Sequence, residues 1–414
     1  MTTSSPAVPT TQRPPVIMQL IPSLGAGGAE QGCIDVAAEL VKAGATSIVV
    51  SNGGHRIPEL LRAGSQHIQM NIDSKNPFII WQNAKRLKKI INKQRVDIVH
   101  ARSRAPAWCG HLACKDTQAR FMTTCHAPYN IPQGLAAKFK KKYNSSIIKG
   151  DRVIAISHYV ADYMRQNYEI DPRNIRIIHR GIAIEKFHPT AVSAERMIKL
   201  SREWRLPDGV SVVMMPGRLT RWKGHHVLID AMARINRPDT ICVLIGADQG
   251  RKEYREELEE TVRSRGLEGQ IRIVDHCHDM PAAYMMAAVV VSASIDPEGF
   301  GRVAAEAQAM GRPIVATDHG GSRETIVRGE TGWLVPPNDP VALAKSIQDA
   351  LNLDATHRSI LATRAMSHIA ENFTKDHMTT QTLAVYAELL EEAAINPQNQ
   401  THGKPYQTMI ATAA

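Results

Sequence analysis

Residues 296–307 read Asp296-Pro297-Glu298-Gly299-Phe300-Gly301-Arg302-Val303-Ala304-Ala305-Glu306-Ala307. The apolar run 288–291 precedes this stretch and is typical of a buried parallel strand. The glycines predict a turn, and the segment from Arg302 to Met310 predicts a helix that ends at Gly311 and Pro313. A strand, a glycine turn and a helix in this order indicate an α/β domain built on a parallel sheet.

Two carboxylates, Glu298 and Glu306, fall where such a sheet binds ligands. Glu298 follows the carboxyl end of the strand and Glu306 lies in the first turns of the next helix, and open α/β sheets bind ligands at that edge. Glycine at 299 and 301 lets the backbone approach a ligand closely. The helix start can offer backbone N–H groups to an anion or a sugar hydroxyl, from Phe300, Gly301 and Arg302. A carboxylate beside such a turn can accept hydrogen bonds from two neighbouring hydroxyls, as a sugar offers.

A second strand-turn-helix stretch lies about 80 residues upstream and carries cations. It reads Gly217-Arg218-Leu219-Thr220-Arg221-Trp222-Lys223-Gly224, after an apolar strand at 210–214 and before a helix starting near residue 226. Arg218 as a planar fork and Lys223 as a point charge are suited to neutralising a diphosphate.

These two motifs in this order resemble the retaining GT-B glycosyltransferases of family 4, which include bacterial lipopolysaccharide-core and glycolipid glycosyltransferases. The resemblance covers about residues 15–392 and is strongest over 213–337. It implies an α/β GT-B fold, in which two Rossmann-like domains face a central cleft and a C-terminal helix crosses back to the N-terminal domain. It also implies that the C-terminal domain binds a nucleotide-diphosphate sugar and the N-terminal domain binds the acceptor.

The domain organisation follows from the same pattern. We expect an N-terminal domain at 15–190, a linker at 190–205, a C-terminal domain at 206–370 and a crossover helix at 371–392. The Ser/Thr/Pro-rich residues 1–14 and the tail 397–414 are predicted to be disordered.

The resemblance also assigns site residues. It implies catalytic roles for His126, Arg218, Lys223 and Glu298, with His126 bordering the transferred sugar and Glu298 holding its hydroxyls. Glu306 is expected to hold the nucleoside ribose. In the N-terminal domain, Gly27 and Gly28 form a glycine turn before a helix. Their backbone N–H groups are expected to face the donor phosphates or the acceptor, and a plain strand-to-helix turn is the alternative.

The net charge of +10 is unevenly distributed. Residues 1–190 hold 26 Lys and Arg against 12 Asp and Glu, whereas the remainder holds 24 against 28. This asymmetry indicates an anionic partner for the N-terminal half: nucleic acid, an anionic membrane surface or a phosphorylated glycolipid.

Several residues of this half are candidate contacts with an acceptor or a membrane: His100, Arg102, Arg104, Lys138, Lys140, Lys141 and Lys142. A structural histidine and solvated loop charges are the alternatives for the first three. The lysines belong to a predicted basic amphipathic helix at 135–149, for which a solvated helix packed on its own domain is the alternative.

The sequence predicts no metal and no cofactor. It contains no Asp-x-Asp pair, and the histidines and cysteine of His276-Cys277-His278 are too close together for a tetrahedral site built from one loop. Six scattered cysteines, no signal-peptide pattern and no apolar run of about 18 residues indicate a cytoplasmic protein without a transmembrane segment. Peripheral contact with the inner face of the membrane is compatible with these features.

The predicted function is metal-independent transfer of a hexose from a UDP- or GDP-sugar to a lipid-linked or polysaccharide acceptor, in cell-envelope glycan biosynthesis. A sugar-nucleotide epimerase or a phosphorylase on the same fold is the first alternative. A non-catalytic module that binds sugar nucleotides or RNA is the second, although no RNP-like aromatic pattern supports nucleic acid as a partner.

Overall fold

The computed structural model describes residues 13–25, 27–131, 134–235 and 237–395, which divide into two α/β units. Among the described residues, the first unit comprises those from 13 to 155, from 161 to 178 and from 379 to 395. The second unit comprises residues 156–160 and 179–378. Nearly all of the predicted leader and the whole predicted tail lie outside the described residues, but Arg13 is described and its guanidinium binds the carboxylate of Asp97 at 2.6 Å.

The first unit contains a parallel sheet of seven strands in the order β3-β2-β1-β4-β5-β6-β7. The strands are β1 (Val16–Leu20), β2 (Thr46–Ser51), β3 (Gln66–Gln69), β4 (Ile98–Ala101), β5 (Arg120–Cys125), β6 (Arg152–Ala155) and β7 (Ile175–Ile177). The helices between them are α1 (Gly28–Lys42), α2 (Ile57–Arg62), α3 (Pro77–Gln94), α4 (Arg104–Cys114), α5 (Leu135–Asn144) and α6 (His158–Asn167).

The second unit repeats this architecture with six parallel strands in the order β10-β9-β8-β11-β12-β13. The strands are β8 (Ser211–Pro216), β9 (Thr240–Ile245), β10 (Ile271–Val274), β11 (Val289–Ser292), β12 (Ile314–Thr317) and β13 (Trp333–Val335). The helices are α7 (Ala194–Glu203), α8 (His225–Ile235), α9 (Lys252–Ser264), α10 (Met280–Met286), α11 (Arg302–Ala309), α12 (Ser322–Thr325), α13 (Pro340–Leu351) and α14 (Ala355–Asn372). A last helix, α15 (Lys375–Ile395), begins in the second unit and continues in the first.

The central strand β11 is apolar because both faces of its sheet are covered. Val289 and Val291 belong to the core on one face, together with residues of α8 and α13. Val290 belongs to the core on the other face, together with residues of α10 and α11. Successive side chains of a strand point to opposite faces, so a doubly covered strand needs apolar residues at every position. The predicted buried parallel strand is therefore confirmed.

The strand order reverses between β8 and β11. These two strands pair directly, with Val213 opposite Val289, while β9 lies on the far side of β8 and β12 on the far side of β11. Helical connections on both sides of such a reversal leave a crevice at the carboxyl edge of the sheet, and this is where open α/β sheets bind ligands. The loops that carry Arg218 and Glu298 leave the sheet at this reversal.

Helix α15 packs in the first unit from residue 379, as the predicted crossover helix requires. Tyr386 of α15 is fully buried, and its hydroxyl lies 2.7 Å from Nδ1 of His100. The carboxylate of Glu388 accepts hydrogen bonds from Arg152 at 2.8 Å and Arg176 at 3.1 Å. The C-terminal helix therefore contributes both an apolar face and ion pairs to the N-terminal sheet domain.

Three boundaries differ from the sequence-based expectations. The first unit gives way to the second at residue 179 rather than at 190, because the segment that follows β7 packs with the second sheet domain. The expected linker at 190–205 holds α7, whose Leu200 and Trp204 are buried in the second core. The expected helix at 135–149 ends at Asn144 and continues as a 3-10 turn, Ser145–Ile148.

None of the helices in the described residues is long and apolar enough to cross a membrane.

One prediction concerns the backbone contact between the ends of β8 and β9. A Cβ atom at Gly246 would overlap the carbonyl oxygen of Gly217, which is backbone and cannot move aside as a flexible side chain would. We expect Gly246→Ala to lower the free energy of unfolding by about 1–3 kcal/mol, as overpacking does. Thermal or urea unfolding of the purified protein measures this change.

Gly269→Ala is the matched control, because no atom lies within 4 Å of a Cβ built at that exposed glycine. We expect a change of about 0.5 kcal/mol or less for this surface substitution. Equal losses for the two variants would contradict the steric argument.

Candidate active site

The loop after β11 is held in shape by glycines. Gly301 has a φ of +87° and precedes the first residue of α11, a left-handed conformation that glycine adopts without a steric penalty. A Cβ atom at Gly320 would lie 2.5 Å from the carbonyl oxygen of Glu298, and one at Gly321 would overlap the backbone of Phe300. The backbone N–H of Gly321 donates to the carbonyl of Glu298 at 2.9 Å. The Gly320-Gly321 turn thus packs directly on the loop and fixes the position of Glu298.

The carboxylate of Glu298 is largely enclosed and is paired. Its side chain is 14% exposed, it forms an ion pair with the ammonium group of Lys223, and it accepts a hydrogen bond from Oγ of Ser294 at 2.6 Å. Burial alone would raise the pKa of Glu298, but Lys223, Ser294 and the nearby His319 outweigh burial and lower it. Glu298 is therefore held as a carboxylate, with acceptor capacity left for further hydrogen bonds.

The loop after β8 packs against the loop after β11 through a second close backbone contact. Residues Arg221–Lys223 form a 3-10 turn that ends at Gly224, where φ is +76° and a Cβ atom would overlap the carbonyl oxygen of Ala293. The backbone N–H of Ile295 donates to the carbonyl of Trp222 at 2.7 Å. This contact brings Lys223 to Glu298, which are 75 residues apart in sequence.

Arg218 lies in the same loop but has a different environment. Its side chain is exposed, and among the described residues it forms no ion pair and no side-chain hydrogen bond. Arg221, three residues further on, is instead paired with the exposed carboxylate of Glu257. The loop therefore presents one cation that is neutralised by Glu298 and one that remains available for an external anion.

Glu306 is also enclosed and lies on the first turns of α11. Its residue is 8% exposed, one oxygen accepts from Nε of Arg302 at 2.6 Å, and the other accepts from the hydroxyl of Tyr284 at 2.8 Å. The predicted helix that carries Glu306 is confirmed. A ribose hydroxyl that donates a hydrogen bond to Glu306 would bind a carboxylate that already accepts hydrogen bonds from Arg302 and Tyr284.

Phe300 can serve a ligand only through its backbone. Its side chain is 4% exposed, and its ring centroid lies 5.6 Å from that of Phe373 and 6.2 Å from that of His179. The preceding residue, Gly299, accepts a hydrogen bond from Oγ of Ser157 through its carbonyl at 2.6 Å. The aromatic contacts of Phe300 and this hydrogen bond fix the position of the loop.

Glu324 is a residue whose function the sequence did not indicate. Its two oxygens accept hydrogen bonds from the backbone N–H groups of His158 and Tyr159, at the start of α6, each at 2.8 Å. Nε2 of His179 lies 2.8 Å from the same carboxylate. Oγ of Ser157 accepts a hydrogen bond from the backbone N–H of Val160 at 3.1 Å. Glu324 and Ser157 together satisfy N–H groups that a helix start leaves open.

The same residues form the group among the described residues that could hold a metal ion. Ligand atoms of His158, His179 and Glu324 all lie within 4.8 Å of one another. In this structure the carboxylate of Glu324 already accepts three hydrogen bonds, so a metal would have to replace the one from His179. In the His276-Cys277-His278 stretch, burial raises the pKa of the Cys277 thiol to about 11, which disfavours the thiolate that a metal needs.

The remaining predicted donor and catalytic residues lie in the first unit. Gly27 is the extended residue before α1, and a Cβ atom there would overlap the carboxylate of Glu30. A phosphate at this helix start would therefore require Glu30 to move. Gly28 is the first residue of α1, and His126 follows β5 directly and is partly exposed. The roles of Gly27, Gly28 and His126 remain predictions.

Two of the predicted acceptor contacts are corrected. His100 is fully buried, with Nδ1 at 2.7 Å from the Tyr386 hydroxyl and Nε2 at 2.7 Å from Oγ1 of Thr124. Burial, with the charges of Arg102 and His126, lowers the pKa of His100 well below its usual value. Arg102 is 3% exposed, and its Nε donates to Gln19 at 2.7 Å. Both side chains are packed inside the first unit and do not face an acceptor.

The other basic candidates remain accessible. Arg104 is partly exposed, and its guanidinium lies 4.2 Å from the ring centroid of Tyr129 and bonds Asn144 at 2.9 Å. The four lysines of α5 are all exposed, and so is the intervening Phe139, at 80%. These residues remain predicted contacts for an acceptor or a membrane.

A pH-dependent prediction follows from Glu324. Burial alone would raise its pKa, but the hydrogen bonds from His179 and from two backbone N–H groups outweigh burial and lower it. A carboxyl with a lowered folded-state pKa contributes stability that is present above its unfolded pKa, about 4.3, and lost as the pH falls through the folded value. We expect Glu324→Gln to lower the melting temperature at pH 7 and to differ progressively less from wild type between pH 5 and pH 3.

Glu371→Gln is the matched control, because Glu371 is an exposed carboxylate in the same unit without a hydrogen-bond partner among the described residues. Melting curves of the three proteins across this pH range provide the measurement. A loss of stability in Glu324→Gln that is equally large at pH 3 and pH 7 would contradict the electrostatic account.

Comparison with known proteins supplies a family for both units. Residues 26–186 match the model described as Glycosyltransferase Family 4, and residues 197–367 match the model described as Glycosyl transferases group 1. A D-inositol 3-phosphate glycosyltransferase from Jonesia denitrificans is 31% identical over 315 residues, which cover 72% of this chain and 73% of the relative.

Solved structures agree with this assignment. A glycosyltransferase from Rickettsia africae superimposes with a TM-score of 0.84 at 38% identity, over 92% of this chain and 100% of that one. Anabaena HepE, solved in complex with UDP, superimposes with a TM-score of 0.77 at 22% identity, over 90% of this chain and 100% of that one, and shares the fold. The chain belongs to the group 1 family of glycosyltransferases, and it has the GT-B fold of two Rossmann-like domains.

Proposed function

We propose that this glycosyltransferase moves a hexose from a UDP- or GDP-sugar to a lipid-linked or polysaccharide acceptor with retention of anomeric configuration. The observation that carries this proposal is the group at the strand-order reversal of the second unit. There the enclosed carboxylate of Glu298 is paired with Lys223, and Arg218 remains unpaired among the described residues. A nucleoside diphosphate attached to a sugar needs both a cation and a hydroxyl-binding carboxylate at this edge.

Each group has a role in the proposed donor complex. Arg218 and Lys223 bind the diphosphate, and Glu298 accepts hydrogen bonds from two sugar hydroxyls. The backbone N–H groups of Phe300, Gly301 and Arg302 donate to the sugar or the phosphate, and Phe300 takes part only through its backbone because its side chain is buried. The carboxylate of Glu306 accepts a hydrogen bond from a ribose hydroxyl. Arg302 orients this carboxylate by donating a hydrogen bond to it at 2.6 Å.

The proposed chemistry needs positive charge where the leaving group forms. As the bond between the anomeric carbon and the phosphate oxygen breaks, the sugar becomes oxocarbenium-like and negative charge grows on the diphosphate. Lys223 and Arg218 stabilise that charge, and a preorganised site contributes more than solvent does because its dipoles are already aligned. We propose that these cations replace a metal and that a leaving phosphate oxygen removes the acceptor proton.

The donor and acceptor proposals draw on different relatives. Anabaena HepE has been solved with UDP and with UDP-glucose, which supports UDP as the nucleotide. The Jonesia relative is named for D-inositol 3-phosphate as its acceptor, which supports a small phosphorylated cyclitol as a second candidate. The lipid-linked acceptor is membrane-associated and the phosphorylated cyclitol is anionic, and both properties are in keeping with the basic surplus of residues 1–190.

Three rival functions are distinguished by what each protein would require. An epimerase converts a nucleotide sugar without any acceptor, and a phosphorylase needs inorganic phosphate. A binding module retains the donor without releasing free nucleotide. Acceptor-dependent release of UDP or GDP supports the transferase and excludes all three.

A prediction tests the donor site. With a panel of UDP- and GDP-hexoses, we expect Glu298→Ala to lower transfer about 100-fold or more, because two charge-assisted hydrogen bonds to the sugar are lost.

Arg218→Ala should weaken binding of the free nucleoside diphosphate by about 1.5–3 kcal/mol, roughly 10- to 150-fold. Product formation and calorimetric titration measure the two effects, and transfer should persist in EDTA.

The chain offers matched controls for both variants. Asp296→Ala removes an exposed neighbouring carboxylate, and Arg221→Ala removes a cation of the same loop that is paired with Glu257. We expect both controls to stay within about threefold of wild type in transfer and in nucleotide affinity, since surface ion pairs contribute little. Unchanged transfer in Glu298→Ala, or unchanged nucleotide affinity in Arg218→Ala, would rule out the assigned roles.

We further propose that helix α5 docks the enzyme on the inner face of an anionic membrane, where it meets a lipid-linked acceptor. Exposed lysines surround the exposed Phe139 on this helix. Each Lys or Arg near such a surface contributes about 1 kcal/mol, and an inserted aromatic ring adds apolar burial. Helix α3 of the same unit also exposes a stacked aromatic pair, Phe78 and Trp81, with Nζ of Lys85 3.5 Å from the Trp81 ring centroid.

Vesicle sedimentation tests the docking proposal. We expect binding to vesicles that contain anionic lipid, weakened by salt, and lowered at least tenfold when Lys138, Lys140, Lys141 and Lys142 are replaced by Gln. A control variant keeps the same change of net charge but places it on exposed cations of the second unit, at Lys199, Lys252, Lys345 and Arg364. If vesicle binding falls equally in both variants, net charge alone explains the loss and α5 has no specific role in docking. If the wild-type protein does not bind anionic vesicles even at low salt, the membrane-docking proposal is wrong and the soluble phosphorylated acceptor is favoured.

A further inference from the structure

The second unit contains a cavity far from the groups described above. Its volume is about 330 Å³. Its lining comes from the turn between α11 and β12, from one face of helix α14 and from the 3-10 turn before α7: Pro189, Met310, Gly311, Arg312, Ala355, Arg358, Ser359, Ala362 and Met366.

The cavity lies at the amino edge of the second sheet. Arg312 comes two residues before β12, and Arg358 donates a hydrogen bond to the carbonyl of Ala288, directly before β11. In a parallel sheet all amino ends share one edge and all carboxyl ends the other. Arg218 and Glu298 follow the carboxyl ends of β8 and β11, so the cavity and the candidate donor site are at opposite edges of the sheet.

The two arginines of the cavity have no carboxylate to pair with. Neither forms an ion pair with any described residue, and no acidic residue lines the cavity. Nε of Arg312 is buried without a hydrogen-bond partner, and its Nη2 contacts only the weak acceptor Sδ of Met285 at 3.1 Å. Burial lowers the pKa of Arg312, and the positive charge of Arg358 lowers it further. A half-buried guanidinium beside a like charge is thus left uncompensated.

Arg358 is held in place independently of Arg312. Its Nη1 donates to the carbonyl of Ala288 and its Nη2 to the carbonyl of Ala350, near the end of α13, each at 3.1 Å. Burial lowers its pKa as well. The carboxylate at the start of α14, Asp354, is engaged by His357 at 2.8 Å and does not line the cavity. The two cations therefore point to an anion supplied from outside the chain.

The rest of the lining is suited to an organic group and not to a bare ion. Ala362 and Met366 are apolar and partly exposed, whereas Met310 is fully buried beneath them, and methionine adapts to irregular shapes. A phosphate monoester carries a charge between about −1.5 and −2 at pH 7, which matches two guanidinium groups, and arginine binds phosphate through parallel hydrogen bonds. We propose that this cavity binds a small phosphate monoester, with its phosphate at Arg312 and Arg358 and its apolar body against Ala362 and Met366. This inference does not depend on the proposed function.

Phenyl phosphate is the probe, titrated calorimetrically into the full-length protein. We expect saturable binding to wild type and binding at least tenfold weaker to Arg312→Gln. Benzoate, with one negative charge, and inorganic phosphate, without an apolar body, should each bind more weakly than phenyl phosphate. Equal binding of inorganic phosphate and phenyl phosphate would overturn the assigned role of the apolar lining.

Two further variants locate the site. Arg218→Gln removes the available cation of the donor loop, and Arg364→Gln removes an exposed arginine of α14 outside the cavity. We expect both to bind phenyl phosphate as wild type does. Loss of binding in Arg218→Gln, or no binding to wild type, would overturn the proposal.

The melting temperature provides an independent readout. Because Arg312 is an uncompensated, half-buried cation, Arg312→Gln should melt at or above the wild-type temperature without ligand, and phenyl phosphate should raise the melting temperature of wild type but not that of Arg312→Gln. A marked loss of stability in ligand-free Arg312→Gln would show that the guanidinium is already satisfied within the fold and would contradict the proposal.

Discussion

Close backbone contacts through glycine hold the candidate donor site together. Gly224 lies against Ala293, Gly246 against Gly217, and the Gly320-Gly321 turn against the loop of Glu298, each at a distance where a Cβ atom would not fit or would be severely crowded. Loops that leave neighbouring parallel strands can lie in direct contact only when no side chain separates them. The contact between Gly224 and Ala293 brings Lys223 next to Glu298. The ion pair of the site therefore depends on a glycine that itself takes no part in binding.

One of the two cations in this site is already paired with a carboxylate before any ligand binds. Glu298 is a carboxylate whose negative charge Lys223 compensates, so it can be enclosed without the large desolvation cost of a lone charge. Arg218 is left exposed without a partner among the described residues, and it would provide the net positive charge that the diphosphate of the proposed donor needs. A fixed ion pair beside an available cation suits a reaction in which negative charge grows on a leaving group, because little rearrangement is required.

The positive surplus of the N-terminal half is smaller in the folded unit than in the sequence. Arg120, Arg152 and Arg176 all pair with Glu388 or Glu392 of the last helix, which packs in the same unit. Arg102 is buried against Gln19. The charges that stay exposed are concentrated on α3 and α5, and this concentration, more than the total, is what an anionic partner would meet.

The sequence by itself determined the two parallel sheet domains and the position of Arg218, Lys223, Glu298 and Glu306 after predicted strands, since buried parallel strands and glycine turns are local patterns. It did not determine which charges pair. The ion pair of Lys223 with Glu298, the enclosure of His100, and the role of Glu324 at the start of α6 depend on segments 75, 286 and 166 residues apart meeting in space. The tertiary structure decided these, because burial and pairing depend on which strands become neighbours, and no local pattern contains that information.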